Sequence, residues 1–506
     1  MKTLPSRIKL YGLILASATI LAYTSSFKGS FVLDDYHSIC RNDKIGDFSS
    51  QVLNSTRPVV GATFFLNYRT GGFKTADYHA VNLAIHVIAG LVLFGIFRRT
   101  AEFPRLSAGY GPYACAFAAL ASLLWMVHPL QTAAVTYIVQ RAESLMGMFY
   151  LLTLYLFIRA CRSPRAHRWY TASIVSCAIG MAVKPVMVTA PLMVLLYDGM
   201  FVSESARKSL SSRKVYYALL ASTWLVLIAL LSVPHESATS AGMAAGVASP
   251  LEYAMTQSEV VLHYLKLVFV PGALCLDYAW PVVSGWSEVW PETLVILLIC
   301  ISAFRLYRSG KTAGYAMAWF LIVLAPSSSF IPIADAAFDH RMYLPLAGLT
   351  AGMVYGLAYL LKGRVDPRII TAGLFVTSAV LAGMTYARNL EYHDEESIWR
   401  DTVEKCPHNL RAGNELAAAL SENARNNPGK VFEAVREYRR VIDAIPENII
   451  EKIERGDIVR DGIIPANSFR ENYFRAHANL GLLLFSELGD REAVIRHYRA
   501  ALRVKP

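Results

Sequence analysis

The chain has 506 residues, of which 54% are hydrophobic and 17% are charged, whereas ordinary globular domains carry about 25% charged residues. This composition excludes an ordinary water-soluble domain and predicts a polytopic membrane protein. The net charge of +11 does not indicate nucleic-acid binding, because the basic residues form short clusters between apolar segments rather than one patch. The seven cysteines include no CxxC pair, so the sequence predicts neither a disulfide framework nor a zinc site.

Apolar segments dominate the chain up to about residue 386. A bilayer core about 30 Å thick needs roughly 20 apolar residues for each helix that crosses it. We predict eleven spans, near residues 8–25, 79–97, 113–128, 144–161, 169–183, 185–200, 215–233, 290–307, 313–331, 343–361 and 369–386.

The Lys and Arg clusters between these spans set the predicted orientation, since such residues in short loops stay cytoplasmic. Every cluster falls on one side if the short segment 259–271 lies along the membrane interface instead of crossing it. The N-terminus is then cytoplasmic. The loops at 26–78 and 234–289 and the C-terminal region share the outer face. The basic start and small residues of the first span are also typical of a cleaved signal peptide, whose removal would leave Asp34 and Asp35 on the same side.

The region from about 389 to 506 is polar and has helical periodicity. The stretch RAHANLGLLLFSELGDREAVIRHYRAALRVKP at 475–506 matches the 34-residue tetratricopeptide pattern. Two weaker copies precede it, because Trp399 and Tyr438, like Tyr498, each lie eight residues before a proline. The segment 447–473 is an insertion. Such repeats form an α-solenoid that binds extended peptides or partner proteins, although a rigid lid on the membrane domain is the alternative.

Two adjacent carboxylates, Asp34 and Asp35, follow the first span closely, and the cations Lys184 and Arg341 lie at span ends on the same side. Ionisable residues at the edge of a bilayer are costly and indicate function, unless they form a structural salt bridge. A carboxylate can deprotonate a hydroxyl, and cations can stabilise a phosphate leaving group. One Asp would be the base, and the other an orienting group, a metal ligand or a helix N-cap.

Four histidines on the same side or near it, His37, His79, His86 and His128, fit no metal-binding spacing. The sequence therefore assigns no metal ligand and no cofactor, and it leaves the use of a divalent cation open.

Several motifs recur in order along nearly the whole chain: FVLDDYHSICRND, RPVVGATFFLNYRTGGFKTADYHAVNLAIH, HPLQTAAVTYIVQRAESL, ALCLDY, DHRMYLP and ARNLEYHDEESIWRDTVEKCPHNLRA. Together they resemble the transmembrane and tetratricopeptide-repeat-containing O-mannosyltransferases, which are GT-C class membrane glycosyltransferases. The resemblance implies an all-α protein with a GT-C-like transmembrane domain at 1–388 and a periplasmic repeat domain at 389–506. It also implies inverting transfer of mannose or another hexose from a polyprenyl- or dolichyl-phosphate donor to Ser or Thr of an exported protein.

The same resemblance implies roles for individual residues. It makes Asp34 and Asp35 catalytic, with the base not chosen between them. The residues expected to bind the donor phosphate are Lys184, Arg341 and Arg141. Those expected in the acceptor or substrate pocket are Glu143, His128, His79, Arg57, Asp277 and His340. The expected partners are the lipid-linked sugar, an exported acceptor protein held by the repeats, and the membrane, with no nucleic acid.

Two other functions are compatible with a membrane bundle carrying repeats. A scaffold without enzymatic activity would recruit exported proteins and tolerate Asp34→Asn. A lipid-linked sugar flippase needs charged residues along a mid-bilayer pathway, whereas the ionisable residues here lie at the outer edge. The short loops favour a bacterial inner membrane, with the endoplasmic reticulum membrane and luminal repeats as the eukaryotic alternative.

Overall fold

The computed structural model describes residues 4–103, 113–232, 248–424, 427–455, 460–461 and 464–505, and these are almost entirely helical. In the membrane part the helices are α1 Leu4–Ala22, α2 Pro58–Gly71, α3 Thr75–Ala101, α4 Ala114–Met126, α5 Thr132–Val135, α6 Arg141–Ala160, α7 Ala166–Met181, α8 Ala190–Tyr197, α9 Ala206–Ser212, α10 Lys214–Ser222, α11 Trp224–Leu231, α12 Pro250–Phe269, α13 Trp286–Arg308, α14 Thr312–Leu324, α15 Pro345–Leu360 and α16 Pro367–Leu390. The C-terminal helices are α17 Glu395–Lys405, α18 Leu410–Ala424, α19 Gly429–Asp443, α20 Glu447–Glu454, α21 Ala466–Leu488 and α22 Arg491–Val504.

Shorter elements connect these helices. They are the 3-10 turns Thr24–Lys28, Pro129–Gln131, Ile138–Gln140, Pro185–Thr189, Asp339–Met342 and Glu391–His393, and the π turns Tyr36–Cys40, Ser49–Leu53 and Asp198–Val202. Two short antiparallel strands, β1 Arg460–Asp461 and β2 Ile464–Pro465, pair Arg460 with Pro465 and Asp461 with Ile464.

Each predicted span overlaps a helix, but the helices differ in length. Six helical segments of the described chain are long and apolar enough to cross a bilayer: Thr75–Ala101, Ile138–Ala160, Pro185–Val202, Lys214–Leu231, Trp286–Arg308 and Pro367–His393. A seventh results if Ala114–Met126 and Pro129–Val135, which meet at a 54° bend, form one span. The count of eleven stays a prediction. Helix α12 extends the predicted interfacial segment back to Pro250, where Ser249 and Glu252 form a capping box.

The apolar surface of these helices faces outward over large areas. Only 11% of the apolar stretch of α13 and 17% of that of α16 is buried inside the protein. Water would not tolerate so much contiguous apolar surface, whereas lipid does. The chain is therefore a multi-pass membrane protein.

The centre of the membrane part is built on buried aromatic and polar contacts near the predicted outer face. The indole of Trp125 donates a hydrogen bond to the carbonyl of Tyr343 at 2.8 Å. The ring nitrogens of His86 contact the Tyr343 hydroxyl at 3.0 Å and the Met126 carbonyl at 2.9 Å. His86 is therefore a satisfied core histidine, and these contacts join α3, α4 and the start of α15.

The C-terminal helices share a second hydrophobic core with the loops of the membrane part. Val32, Tyr137 and Leu276 pack into the same cluster as Tyr392 and Trp399. The contacting helix pairs include α18 with α19 and α21 with α22, and α19 also contacts α21. The tetratricopeptide assignment and the boundary at 388 stay predictions, and α16 continues through that boundary to Leu390.

A polar link accompanies this second core. The buried carboxylate of Asp277 accepts hydrogen bonds from Arg411 at 2.8 Å and from the Asn409 amide at 2.9 Å. The Nη2 atom of Arg411 also donates a hydrogen bond to the Asp335 carboxylate at 2.7 Å. Burial raises the pKa of Asp277, but Arg411 and Asn409 outweigh it and lower that pKa overall. Asp277 therefore joins the membrane part to α18.

The variant Arg411→Ala is expected to lower the free energy of unfolding by about 3 kcal/mol, because it leaves Asp277 buried without its counter-charge. Arg411 is partly exposed, so this value is the lower end of the usual range for buried pairs. Chemical or thermal unfolding of the purified protein in detergent measures the change. The combined variant Asp277→Asn with Arg411→Ala should recover part of the loss, and no recovery would contradict the ion-pair explanation.

Candidate active site

The acidic pair directly follows a sharp turn, and its two members differ in exposure. Leu33 has a φ of +48°, a left-handed conformation that costs a non-glycine residue on the order of 1 kcal/mol or more. Such strain persists only where the surroundings impose it. The side chain of Asp34 is solvent-exposed, whereas Asp35 is completely buried.

Asp35 organises the backbone around it. Its carboxylate accepts hydrogen bonds from the amide of Val139 at 2.7 Å and from the amide of Val32 at 3.0 Å. These contacts tie the first outer loop to the segment before α6. Burial raises the pKa of Asp35 to about 8, against the lowering effect of the backbone amides. Asp35 is therefore positioned to shape the loop rather than to contact a substrate.

Because the pKa of Asp35 rises from 3.8 to about 8 on folding, protonated Asp35 favours the folded state. Its contribution to stability is present below about pH 4 and is lost as the pH rises towards about 8. We expect the thermal midpoint of the wild type to fall more steeply over this range than that of Asp35→Asn. Thermal unfolding in detergent at a series of pH values measures this, with the exposed Asp43→Asn as the matched control. Parallel profiles for wild type and Asp35→Asn would contradict this prediction.

Tyr137 is a contact of Asp34 that the sequence does not single out. Its hydroxyl accepts a hydrogen bond from the Asp34 backbone amide at 3.0 Å. Burial, followed by the charges of Asp34 and Asp35, raises the pKa of Tyr137 well above its usual value. Tyr137 therefore stays protonated and can also donate to the Asp34 carboxylate. The only sequence signal is a tyrosine within an otherwise small-residue loop.

Cations from three separate segments converge near Asp34. Lys184, which follows α7, forms a salt bridge with Glu143 in the first turn of α6. Burial lowers the pKa of Lys184, Glu143 raises it, and the nearby cations Arg57 and Arg341 lower it again. Lys184 is therefore near enough to both Arg57 and Arg341 to be repelled by them.

Arg57 is enclosed by protein but reaches water. Its side chain keeps exposed surface, yet desolvation lowers its pKa, while Glu143 and Asp34 favour its charged form. We infer from this combination that Arg57 lines a recess rather than an outer surface. Arg57 thus connects the acidic turn with the Glu143–Lys184 pair.

Arg341 is largely committed to hydrogen bonds with the protein. Its Nη1 donates to the Ala336 carbonyl at 2.7 Å and the Ser327 carbonyl at 3.3 Å, and its Nη2 donates to the Asp335 carbonyl. The neighbouring His340 is buried. Burial and then the charges of Lys184, Arg341 and Arg57 lower the pKa of His340 well below its usual value. His340 is therefore neutral.

Four of the expected site residues have partners outside this cluster. The buried Arg141 binds the Asn82 side chain at 2.6 Å and the Tyr78 carbonyl at 3.1 Å. The His79 ring faces the Gly29 carbonyl, the His128 ring binds the Val268 carbonyl and the Leu130 amide, and Asp277 contacts Arg411. The structure thus brings together Asp34, Arg57, Glu143, Lys184, His340 and Arg341.

Within the described ranges, no group of three His, Cys, Asp or Glu side chains is arranged to hold a metal ion. We therefore name no metal ligands.

Comparison with known proteins identifies relatives of this chain. The sequence profile of the dolichyl-phosphate-mannose-protein mannosyltransferase family matches residues 112–232. A protein O-mannosyl-transferase of Caenorhabditis elegans is 26% identical over 466 residues, which are 86% of this chain and 62% of that protein. The human protein O-mannosyl-transferase TMTC4 is 24% identical over 496 residues, which are 84% of this chain and 65% of that protein. The resemblance to the transmembrane and tetratricopeptide-repeat-containing O-mannosyltransferases is confirmed.

The relatives and the family profile match different lengths of this chain. The chain spans 62% and 65% of the length of the two relatives. The family profile covers Glu143 and Lys184 but neither the acidic pair nor Arg341.

Among solved structures, ArnT from Cupriavidus metallidurans bound to undecaprenyl phosphate aligns with a TM-score of 0.41 at 14% identity, over 90% of this chain and 81% of that one. A score below 0.5 does not establish a shared fold.

Proposed function

We propose that this protein is a GT-C type glycosyltransferase that moves a sugar from a polyprenyl-phosphate donor to Ser or Thr hydroxyls of exported proteins. The observation that carries the proposal is the convergence of Arg57, Lys184 and Arg341 on one recess beside the exposed Asp34. The relatives' names, which are those of protein O-mannosyl-transferases, support mannose or another hexose as the sugar.

Asp34 would act as the general base. It would take the proton of the acceptor hydroxyl while the hydroxyl oxygen attacks the anomeric carbon. The bond between that carbon and the phosphate oxygen breaks, and attack from the opposite face inverts the configuration. Asp34 suits this task because it is exposed, whereas Asp35 is buried and bonded to two backbone amides.

The cations would hold the donor phosphate and stabilise the charge that develops on it. A phosphate leaving group needs positive charge rather than a general acid. Arg57 and Lys184 have the more accessible positions, while Arg341 mainly orders the loop that contains Asp335 and Ala336. We therefore extend the phosphate-binding role to Arg57, which the family resemblance placed in the acceptor or substrate pocket. Arg141, which is buried and bonded to Asn82 and to the Tyr78 carbonyl, would support the protein around the acidic turn instead of contacting the phosphate.

The proposed orientation in the membrane places the site and the C-terminal helices on the same side. The positive-inside distribution of Lys and Arg supports a cytoplasmic N-terminus, with the recess and the C-terminal helices on the outer face. The C-terminal helices contact the loops beside Asp34 through Val32 and Tyr137. An acceptor segment held by tetratricopeptide repeats would therefore lie near the base.

The test compares the masses of exported proteins from cells with the wild-type protein and cells that lack it. We expect hexose-sized additions on particular proteins only in the first strain, with the additions located on Ser or Thr by peptide fragmentation. Identical masses in both strains, together with altered protein complexes, would contradict the transferase proposal and favour a scaffold.

A further inference from the structure

Two cysteines meet where the membrane part joins the C-terminal helices. Cys275 lies in the loop between α12 and α13, and Cys406 directly follows α17, yet their sulfur atoms are 3.5 Å apart although 131 residues separate them in the sequence. Both are buried. We propose that Cys275 and Cys406 form a disulfide that fixes the C-terminal helices to the outer face of the membrane part.

The contacts on both sides of the pair hold the two segments in register. The Lys405 ammonium donates to the carbonyl of Leu274 at 2.7 Å, so the residues that precede the two cysteines are already joined. Two residues after Cys275, Asp277 binds Asn409 and Arg411. The sulfur atoms need to approach by about 1.5 Å from their 3.5 Å separation to reach bonding distance.

The chemistry is ordinary thiol–disulfide exchange with a disulfide-bearing oxidant. The Cys406 thiolate attacks a sulfur of the oxidant, so that a mixed disulfide forms and one thiol leaves. The Cys275 thiolate then attacks the Cys406 sulfur, which closes the bond and releases the second thiol. The oxidant gains two electrons, and two protons leave the cysteines.

The proposal rests on the outer-face location given under the proposed function, because disulfides persist in oxidising compartments. It does not depend on sugar transfer. Closure would occur while the C-terminal helices dock, before burial excludes the oxidant, and burial would then protect the bond from reduction.

The experiment uses the full-length protein, extracted from membranes with a thiol-alkylating reagent present, then denatured and digested without reductant. We expect peptides containing Cys275 and Cys406 to be linked and to separate on reduction. Cys300, which lies in the lipid-facing helix α13, should be alkylated once the protein is denatured, and Cys300→Ser should leave the link intact. Recovery of Cys275 and Cys406 mainly as separately alkylated peptides would overturn the proposal.

Thermal unfolding provides a second measurement. Reductant should lower the thermal midpoint of the wild type by several degrees, and it should leave the midpoint of Cys275→Ser with Cys406→Ser unchanged. An equal shift in both proteins would contradict a structural disulfide. Linked peptides in a protein that transfers no sugar would refute only the transferase proposal, and sugar transfer without the link would refute only the disulfide.

Discussion

Replacement of Asp34 by Asn is expected to reduce sugar transfer by about 10²–10⁴-fold, which is the usual contribution of a general base. The amide has nearly the same size as the carboxylate but cannot accept the proton of the acceptor hydroxyl. Because Asp34 is exposed, the substitution should leave the thermal midpoint close to that of the wild type. The assay is the initial rate of sugar incorporation into protein in membrane vesicles supplied with polyprenyl-phosphate-mannose.

Three further variants separate catalysis from structure. Asp43→Asn, an exposed carboxylate in the same loop, should retain full activity. Asp34→Glu should retain part of it, since the base is kept but displaced. Asp35→Asn should retain transfer, because Asp35 is buried and contacts backbone amides rather than a substrate. Normal transfer by Asp34→Asn, with no transfer by a stable Asp35→Asn, would assign the base to Asp35 instead.

The sequence identifies the acidic pair but cannot choose between its members. Both residues are aspartates in the same loop, and their positions in the sequence make each of them an equally good candidate for the general base. The difference arises from the left-handed turn at Leu33 and from the amide of Val139, which lies 104 residues away. Such long-range contacts leave no local pattern in one sequence.

The same limit explains why some expected site residues have other partners. His128 and Asp277 are polar residues beside apolar segments, which makes them reasonable candidates from the sequence alone. Their partners Val268 and Arg411 come from distant segments. Apolar periodicity, by contrast, is a local property, and each predicted span accordingly overlaps a helix. The number of spans depends on helix length and straightness, and several of these helices are short or bent.

The salt bridge between Lys184 and Glu143 gives the second large prediction. Lys184→Met should reduce transfer by about 10²-fold or more, because a cation beside the developing phosphate charge is lost. It should also lower stability, since Glu143 would remain buried without its partner. A single substitution therefore cannot distinguish phosphate binding from a purely structural ion pair.

The double variant Lys184→Met with Glu143→Gln makes this distinction. Replacing both partners of a buried pair by neutral groups of similar size is often nearly neutral for stability. We expect the thermal midpoint to return towards that of the wild type while transfer stays low, because no cation has been restored. Lys184→Arg, which keeps the charge, should retain more transfer than Lys184→Met. If the double variant regains both stability and transfer, the pair is structural, and the donor phosphate must depend on Arg57 and Arg341 instead.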